Sequence, residues 1–223
     1  MLLLAIDTSA NASAALLAVN GADVEVLGSF TSDVGNDHSE VLAPAIESML
    51  EAAGGAKPEA IAVGVGPGPF TGLRVGLATA RTLGFVWNVP VHGVMSLDAM
   101  ARQALAGEPG GDFTVAIDAR RKELYWARYD KRGGLIDGPH VSVAEDVPPG
   151  EIYGAGAGLY AERLAAVGAH PVRGFEDLHP DAVSLGTCAA RALADGAPLL
   201  GTDPLYLRDS DAKVPAVMKG KLL

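Results

Sequence analysis

Residues 61–85, IAVGVGPGPFTGLRVGLATARTLGF, restrict the fold more than any other stretch of this 223-residue chain. Residues 61–65 are apolar and partly β-branched, the pattern of a buried strand. Gly66, Pro67, Gly68 and Pro69 end it with four punctuating residues in a row. Thr71 is placed to cap a helix through its hydroxyl. Leu73, Leu77 and Ala80 then recur at helical spacing on one face, and Arg74 and Arg81 share another. Gly72, Gly76 and Gly84 stay in that helix, although each glycine costs a helix interior about 1 kcal/mol relative to alanine. Their presence predicts that another backbone approaches closely.

A strand, a glycine-rich turn and a helix start also hold phosphates. Here the P-loop's Lys-Ser/Thr after its last glycine is replaced by Leu73-Arg74. Pro67 and Pro69 delete alternate backbone N–H groups, the donors that an anion nest uses. The stretch reads instead as a rigid elbow, either fixing its helix against the strand or presenting that helix to another protein.

Charge narrows the partners. With Lys plus Arg at 17 and Asp plus Glu at 27, the net charge is −10, and an acidic chain binds a phosphate backbone poorly by itself. Nucleic acid is expected to be held with a partner. Cys188 is the only cysteine, so no intrachain disulfide forms and a cytoplasmic home fits. Its setting, Ser-Leu-Gly-Thr-Cys-Ala-Ala-Arg, is that of a buried, inert thiol in a helix. The opening apolar run stops at Asp7, without the basic region or length of a secretory leader. No apolar run approaches the roughly 20 residues of a membrane span, and no membrane contact is expected.

In chain order, strands are predicted at residues 2–6, 13–19 and 24–30, with Asn20-Gly21 as a hairpin signal. A helix follows at 39–53, then the elbow, a strand at 89–93 and a helix at 96–105. The pattern then restarts, with strands at 114–117 and 123–129, further pairing at 141–143 and a strand at 151–153. A glycine-rich turn at 154–158 and helices at 159–166 and 181–194 complete it. Ala-Ile-Asp occurs at 5–7 and again at 116–118, each copy closing a strand and opening a hairpin. This reads as a duplication: half-domains at 1–106 and 107–208, with 209–223 a flexible tail.

Two such halves, each with an aspartate at a strand end, resemble the actin/Hsp70/sugar-kinase (ASKHA) superfamily, an α/β fold of two half-domains with mixed sheets flanked by helices. Four blocks are similar to one family within it: AIDTS at 5–9, HSEVLAP at 38–44, GPGPFTGLRVGL at 66–77 and IDARRKELY at 117–125, with PLYLR at 204–208 also fitting. They resemble the bacterial TsaB (YeaZ) family. The resemblance implies a non-catalytic subunit of the machinery that forms threonylcarbamoyladenosine at position 37 of tRNAs reading ANN codons. Its implied partners are a catalytic TsaD-like paralogue and a TsaE-like ATPase, with a homodimer when alone and tRNA met only through the complex. The competing functions are an ATP-dependent small-molecule kinase of the same fold, and a metal-dependent TsaD-like carbamoyl transferase or peptidase.

The residues that bear on these choices are few. Asp7 and Asp118 are positioned for an ancestral phosphate or metal site, with Thr8 beside the first and with Gly154 and Gly156 in the place of an adenosine loop. In the kinases of the superfamily a glycine two residues on admits the phosphates. Here Ser9 and Arg120 stand there, so the nucleotide site reads as vestigial, and no cofactor and no catalytic residue are expected. His38 lacks a second ligand, because the position four residues on is Leu42, so no metal is expected either. Arg120, Arg121 and Lys122 form the local basic cluster, suited to an acidic partner, an RNA phosphate or a plain solvated turn. Tyr125, Trp126 and Tyr129 read as strand packing. The partner interface is expected on the two helices that follow His38 and Gly72, at His38, Glu40, Leu42, Gly72, Arg74, Val75, Gly76 and Arg81. Val75 and Leu77 diverge by about 200° around a helix, and Val75 is expected to be the exposed one.

Overall fold

Apolar runs and alternating patterns build two five-stranded sheets. A computed structural model describes residues 1–32 and 38–208; the side chains of His38 and Ser39 and the expected tail at 209–223 lie outside the described residues. The first sheet begins as a meander of β1 (Leu2–Asp7), β2 (Ser13–Asn20) and β3 (Asp23–Thr31). Gly21, at φ 60°, opens the tight turn between Asn20 and Asp23. Helix α1 (His38–Ala52) leads to β4 (Ala60–Gly64), α2 (Phe70–Trp87) and β5 (Val91–Val94). The order is β3-β2-β1-β4-β5, with β1 antiparallel to β2 and parallel to β4. After α3 (Ser96–Ala104), the second sheet repeats the plan with β6 (Phe113–Asp118), β7 (Glu123–Tyr129), β8 (Leu135–Val143), β9 (Gly150–Tyr153) and β10 (Ala169–Pro171). Its order, β8-β7-β6-β9-β10, matches the first strand for strand and sets Asp118 where Asp7 stands. This is the duplicated ASKHA fold.

Side-chain alternation distributes the helices. Leu4 and Ile6 of β1 face outward onto α1 and α2, in a core with Leu42, Ile46, Ile61, Val63 and Leu77. Leu3 and Ala5 face inward onto α3 and onto α6 (Ala182–Ala194), through Ala99, Leu185 and Ala189. Met100 and Ala104 of α3 also meet Phe113, Val115 and Tyr129, so α3 lies between the sheets. On the outer side of the second sheet, α4 (Ala155–Leu159) and α5 (Ala161–Ala166) cover Ala116, Leu124 and Trp126.

Several expectations are corrected. Thr71 does not cap α2: Pro69 occupies the cap position, with no side-chain hydrogen bond, and the helix starts before Thr71. Residues 154–158 are not an open turn, because Ala155–Leu159 is helical. β10 was not expected, and β8 runs much longer than residues 141–143. Helix α6, assigned by sequence to the second half-domain, packs on the first sheet. Its start is capped by Asp181, whose carboxylate accepts from the Ser184 N–H at 2.7 Å.

One half-buried acid in the middle layer makes stability depend on pH. The Tyr129 hydroxyl donates to Asp98 at 2.8 Å, and burial pushes the Asp98 carboxyl up to about 6 from 3.8. A group raised in the folded state favours folding when protonated, so stability falls as pH rises from about 4 to 6. The loss above that window is about 1–3 kcal/mol, the lower end applying because Asp98 also borders a pocket of about 370 Å³. Asp98→Asn should therefore melt higher than the native chain at pH 7.5, with the gap closing near pH 4. A native chain more stable than the variant at pH 7.5 would contradict this.

Candidate functional site

The ends of β1 and β6 face a cleft of about 750 Å³ between the halves, lined among others by Ser9, Asn11, Thr71, Asp118, Arg120 and Leu159. The two duplicated aspartates have diverged. Asp7 is fully buried. Ser9 donates to its Oδ1 through N–H at 2.8 Å and hydroxyl at 2.6 Å, and the Ser96 hydroxyl donates to its Oδ2 at 2.6 Å. Desolvation raises its carboxyl above the ordinary range against the pull of those hydrogen bonds. Asp7 thus holds the β1 end together and does not line the cleft. Thr8 is also turned inward: its hydroxyl donates to the Gly72 carbonyl at 2.7 Å and accepts from the Gly76 N–H at 3.1 Å. These places correct the expectation that both residues face a ligand.

Asp118 does line the cleft. Its Oδ1 accepts from the Arg120 N–H at 2.9 Å and from the Tyr160 hydroxyl at 3.1 Å, and the Arg120 guanidinium lies 3.7 Å from Oδ2. Ser9 and Arg120 both stand in the cleft wall, at the two positions where a phosphate approach would need glycine. Gly154 and Gly156 are buried against Ala116 of β6, where a Cβ would collide with its backbone. They serve packing under the cleft, which corrects the adenosine-loop expectation; Gly158 and Ala155 line it instead. Sequence reasoning missed His179, which also lines the cleft and whose buried Nδ1 has no hydrogen-bond partner among the described residues. Burial lowers its pKa. No local spacing could have flagged it, since it reaches the cleft from the loop before α6.

The α1–α2 face offers a second surface. Here too the residues sort differently from the expectation. Leu42 is 1% exposed and belongs to the core, which leaves almost none of its side chain at the surface. Gly72 and Gly76 are buried, and a Cβ on Gly76 would fall on the Thr8 hydroxyl. The flat places in α2 admit β1 of the same chain. The Phe70 and Tyr206 rings pack on each other at 4.4 Å, and Arg74 lies beside both and donates to the Tyr206 hydroxyl at 2.9 Å. Arg81 donates to Thr202 and pairs with Asp203 at 2.9 Å. Both arginines strap residues 202–206 onto α2. Val75 is half-buried against the core rather than free. Glu40 is exposed, and the side chain of His38 lies outside the described residues. Between α1 and α2 runs an apolar groove of about 460 Å³, lined by Ala43, Ile46, Leu50, Thr79, Leu83 and Trp87.

Residues 28–167 match the family model described as TsaD: tRNA N6-adenosine threonylcarbamoyltransferase. The Escherichia coli tRNA threonylcarbamoyladenosine biosynthesis protein TsaB is 32% identical over 133 residues, 59% of this chain and 56% of that one. A crystal structure of an uncharacterized Pseudomonas aeruginosa protein with similarity to peptidase YEAZ superimposes with a TM-score of 0.78 at 32% identity, covering 93% of this chain and 99% of that chain. The chain belongs to the TsaB (YeaZ) family. The Pseudomonas aeruginosa YeaZ structure agrees, with a TM-score of 0.74 at 29% identity over 92% of this chain and all of that one. An uncharacterized Mycobacterium tuberculosis protein is 42% identical over 218 residues, 96% of this chain and 95% of that one. In this TsaB-family chain the four resembling blocks fall at the β1 end, on α1, on the elbow with α2, and at the β6–β7 turn. They trace the cleft mouth and the α1–α2 layer.

Proposed function

We propose that this chain is a non-catalytic scaffold and activating subunit of the cytoplasmic complex that forms N6-threonylcarbamoyladenosine at position 37 of tRNAs reading ANN codons. It binds a TsaD-like catalytic paralogue and a TsaE-like ATPase, and without them pairs with a second copy of itself. Its relatives' names support the pathway. The observation that supports the non-catalytic role is the sealed Asp7: the carboxylate that a kinase of this fold would aim at phosphates is fully buried on Ser9 and Ser96. The surface offered to the paralogue is the α1–α2 groove with Glu40, Thr79 and Leu83 around it, and the chain acts by holding the paralogue's helices in their active arrangement.

The test is reconstitution with the paralogue, the ATPase and unmodified tRNA. Omitting this chain should stop modification. Asp7→Asn keeps an acceptor toward Ser9 and removes a buried charge, so it should restore modification to within about threefold of the native chain, less than 1 kcal/mol in barrier. Loss of modification by a folded, partner-bound Asp7→Asn variant would make this carboxylate part of the chemistry. Robust ATP turnover by the isolated native chain, abolished in that variant, would favour the kinase.

A further inference from the structure

We propose that the β6–β7 turn, Arg120-Arg121-Lys122, is the tip through which this chain contacts the phosphate backbone of the RNA; the inference rests on the proposed function, which brings a tRNA to the complex. The turn is strained. Its three residues have φ of 62°, 56° and 66°, all in the left-handed region. A Cβ is crowded in such a conformation, and glycine would relieve it. Elsewhere in the chain, the tight turn between β2 and β3 does use glycine, Gly21 at φ 60°. Here all three positions carry long cations, and all three are exposed, on a chain of net charge −10. Backbone strain kept in place of glycine, and charge concentrated against the prevailing sign, point to a contact made by these exposed side chains.

The surroundings fix the backbone of the turn. The Asp118 carboxylate accepts from the Arg120 N–H at 2.9 Å, Glu123 N–H donates to the Arg120 carbonyl at 3.0 Å, and Arg163 donates to the Lys122 carbonyl at 3.2 Å. Of the nearby acids, Asp118 pairs with Arg120 at 3.7 Å, and Glu123 and Glu145 are engaged by Arg208 and Arg163. The Arg163 guanidinium sits 5.5 Å from the centroid of the Tyr160 ring, and Leu159 beside it is 61% exposed. Cations next to an aromatic ring and an apolar side chain are the composition that follows a single-stranded backbone and its bases, and guanidinium forks match phosphate oxygens.

The test replaces Arg120, Arg121 and Lys122 together by glycine, which removes three charges and relieves the turn, so folding is preserved. Affinity for unmodified tRNA is measured on the complex with the catalytic paralogue across a potassium chloride series. Each lost single-strand phosphate contact flattens the slope of log K against log salt by about 0.7, so a change of about 2 is expected, with affinity about 10- to 100-fold weaker at low salt. A second variant, Arg120→Lys with Arg121→Lys, keeps the charge and should keep the native slope. Unchanged slope and affinity, with paralogue binding intact, would overturn the inference and leave the proposed function standing. A native chain that binds no paralogue and supports no modification would overturn the proposed function instead. Loss of paralogue binding with tRNA affinity retained would make the turn a protein-docking surface, and displacement of tRNA from the native complex by free ATP would make it a nucleotide site; either overturns the inference.

Discussion

Thr79→Arg is expected to leave the chain folded and to weaken its association with the catalytic paralogue at least 100-fold. Thr79 projects from α2 into the groove whose walls are Ala43, Ile46, Leu50 and Leu83, with Glu47 and Glu51 along the same lining. An arginine would lay its apolar stem along those walls and reach toward the two carboxylates. Exposed ion pairs contribute about 0–1 kcal/mol, so the monomer's melting point should hold or rise slightly. In the complex the same side chain blocks the groove. A 100-fold loss corresponds to about 2.7 kcal/mol, a modest demand for a filled hot-spot pocket. Calorimetry and size-exclusion chromatography read the result, and self-association should fall in parallel. Native-strength binding by the folded variant would remove the groove from the interface. Val75, one turn earlier, is a poorer probe, because it packs partly into the core and a charge there would also tax the monomer.

Gly76→Ala is expected to destabilise the chain by about 2–4 kcal/mol, lowering the midpoint by about 5–15 °C. The added methyl would overlap the Thr8 hydroxyl, which is buried and bonded to both Gly72 and Gly76. It has nowhere to turn, so α2 must lift from β1. Removing the obstacle should help: Thr8→Ala in the Gly76→Ala background should recover part of the loss, a coupling visible in a double-mutant cycle. A Gly76→Ala midpoint within 2 °C of native would mean that close approach does not explain this glycine.

Much of the architecture could be read from residues alone. Local patterns sufficed for the meander, with Asn20-Gly21 between two apolar strands, and for the elbow at 66–69. The repeated Ala-Ile-Asp gave the duplication, because the same strand end recurs where the same topology does. What local patterns lack is direction. The glycines of α2 announce a close approach, yet only the register of β1 shows that Thr8 is what approaches. Leu42 looks like a surface position beside His38 until α1 is laid on Leu4 and Ile6. The apolar stripe of α6 says that the helix is covered without saying which sheet covers it. His179 and Ser9 share a cleft from opposite ends of the chain. At residues 120–122 the side chains advertise charge, while the left-handed backbone beneath them leaves no trace in the residue types.

The return of α6 to the first sheet also orders events in time. As the chain leaves the ribosome, β1, β2 and β4 are complete by residue 64, but the helix that covers Leu3, Ala5 and Leu17 ends only at Ala194. Residues 198–208 must follow before Leu200 can pair with Gly93 and Leu205 with the Val65 carbonyl. While residues 65–194 are being made, the inner face of the first sheet is therefore uncovered by its own helix. Early release of a partial chain leaves an apolar sheet face seeking cover, so translation that stops between the two halves should yield a chaperone client rather than a working half.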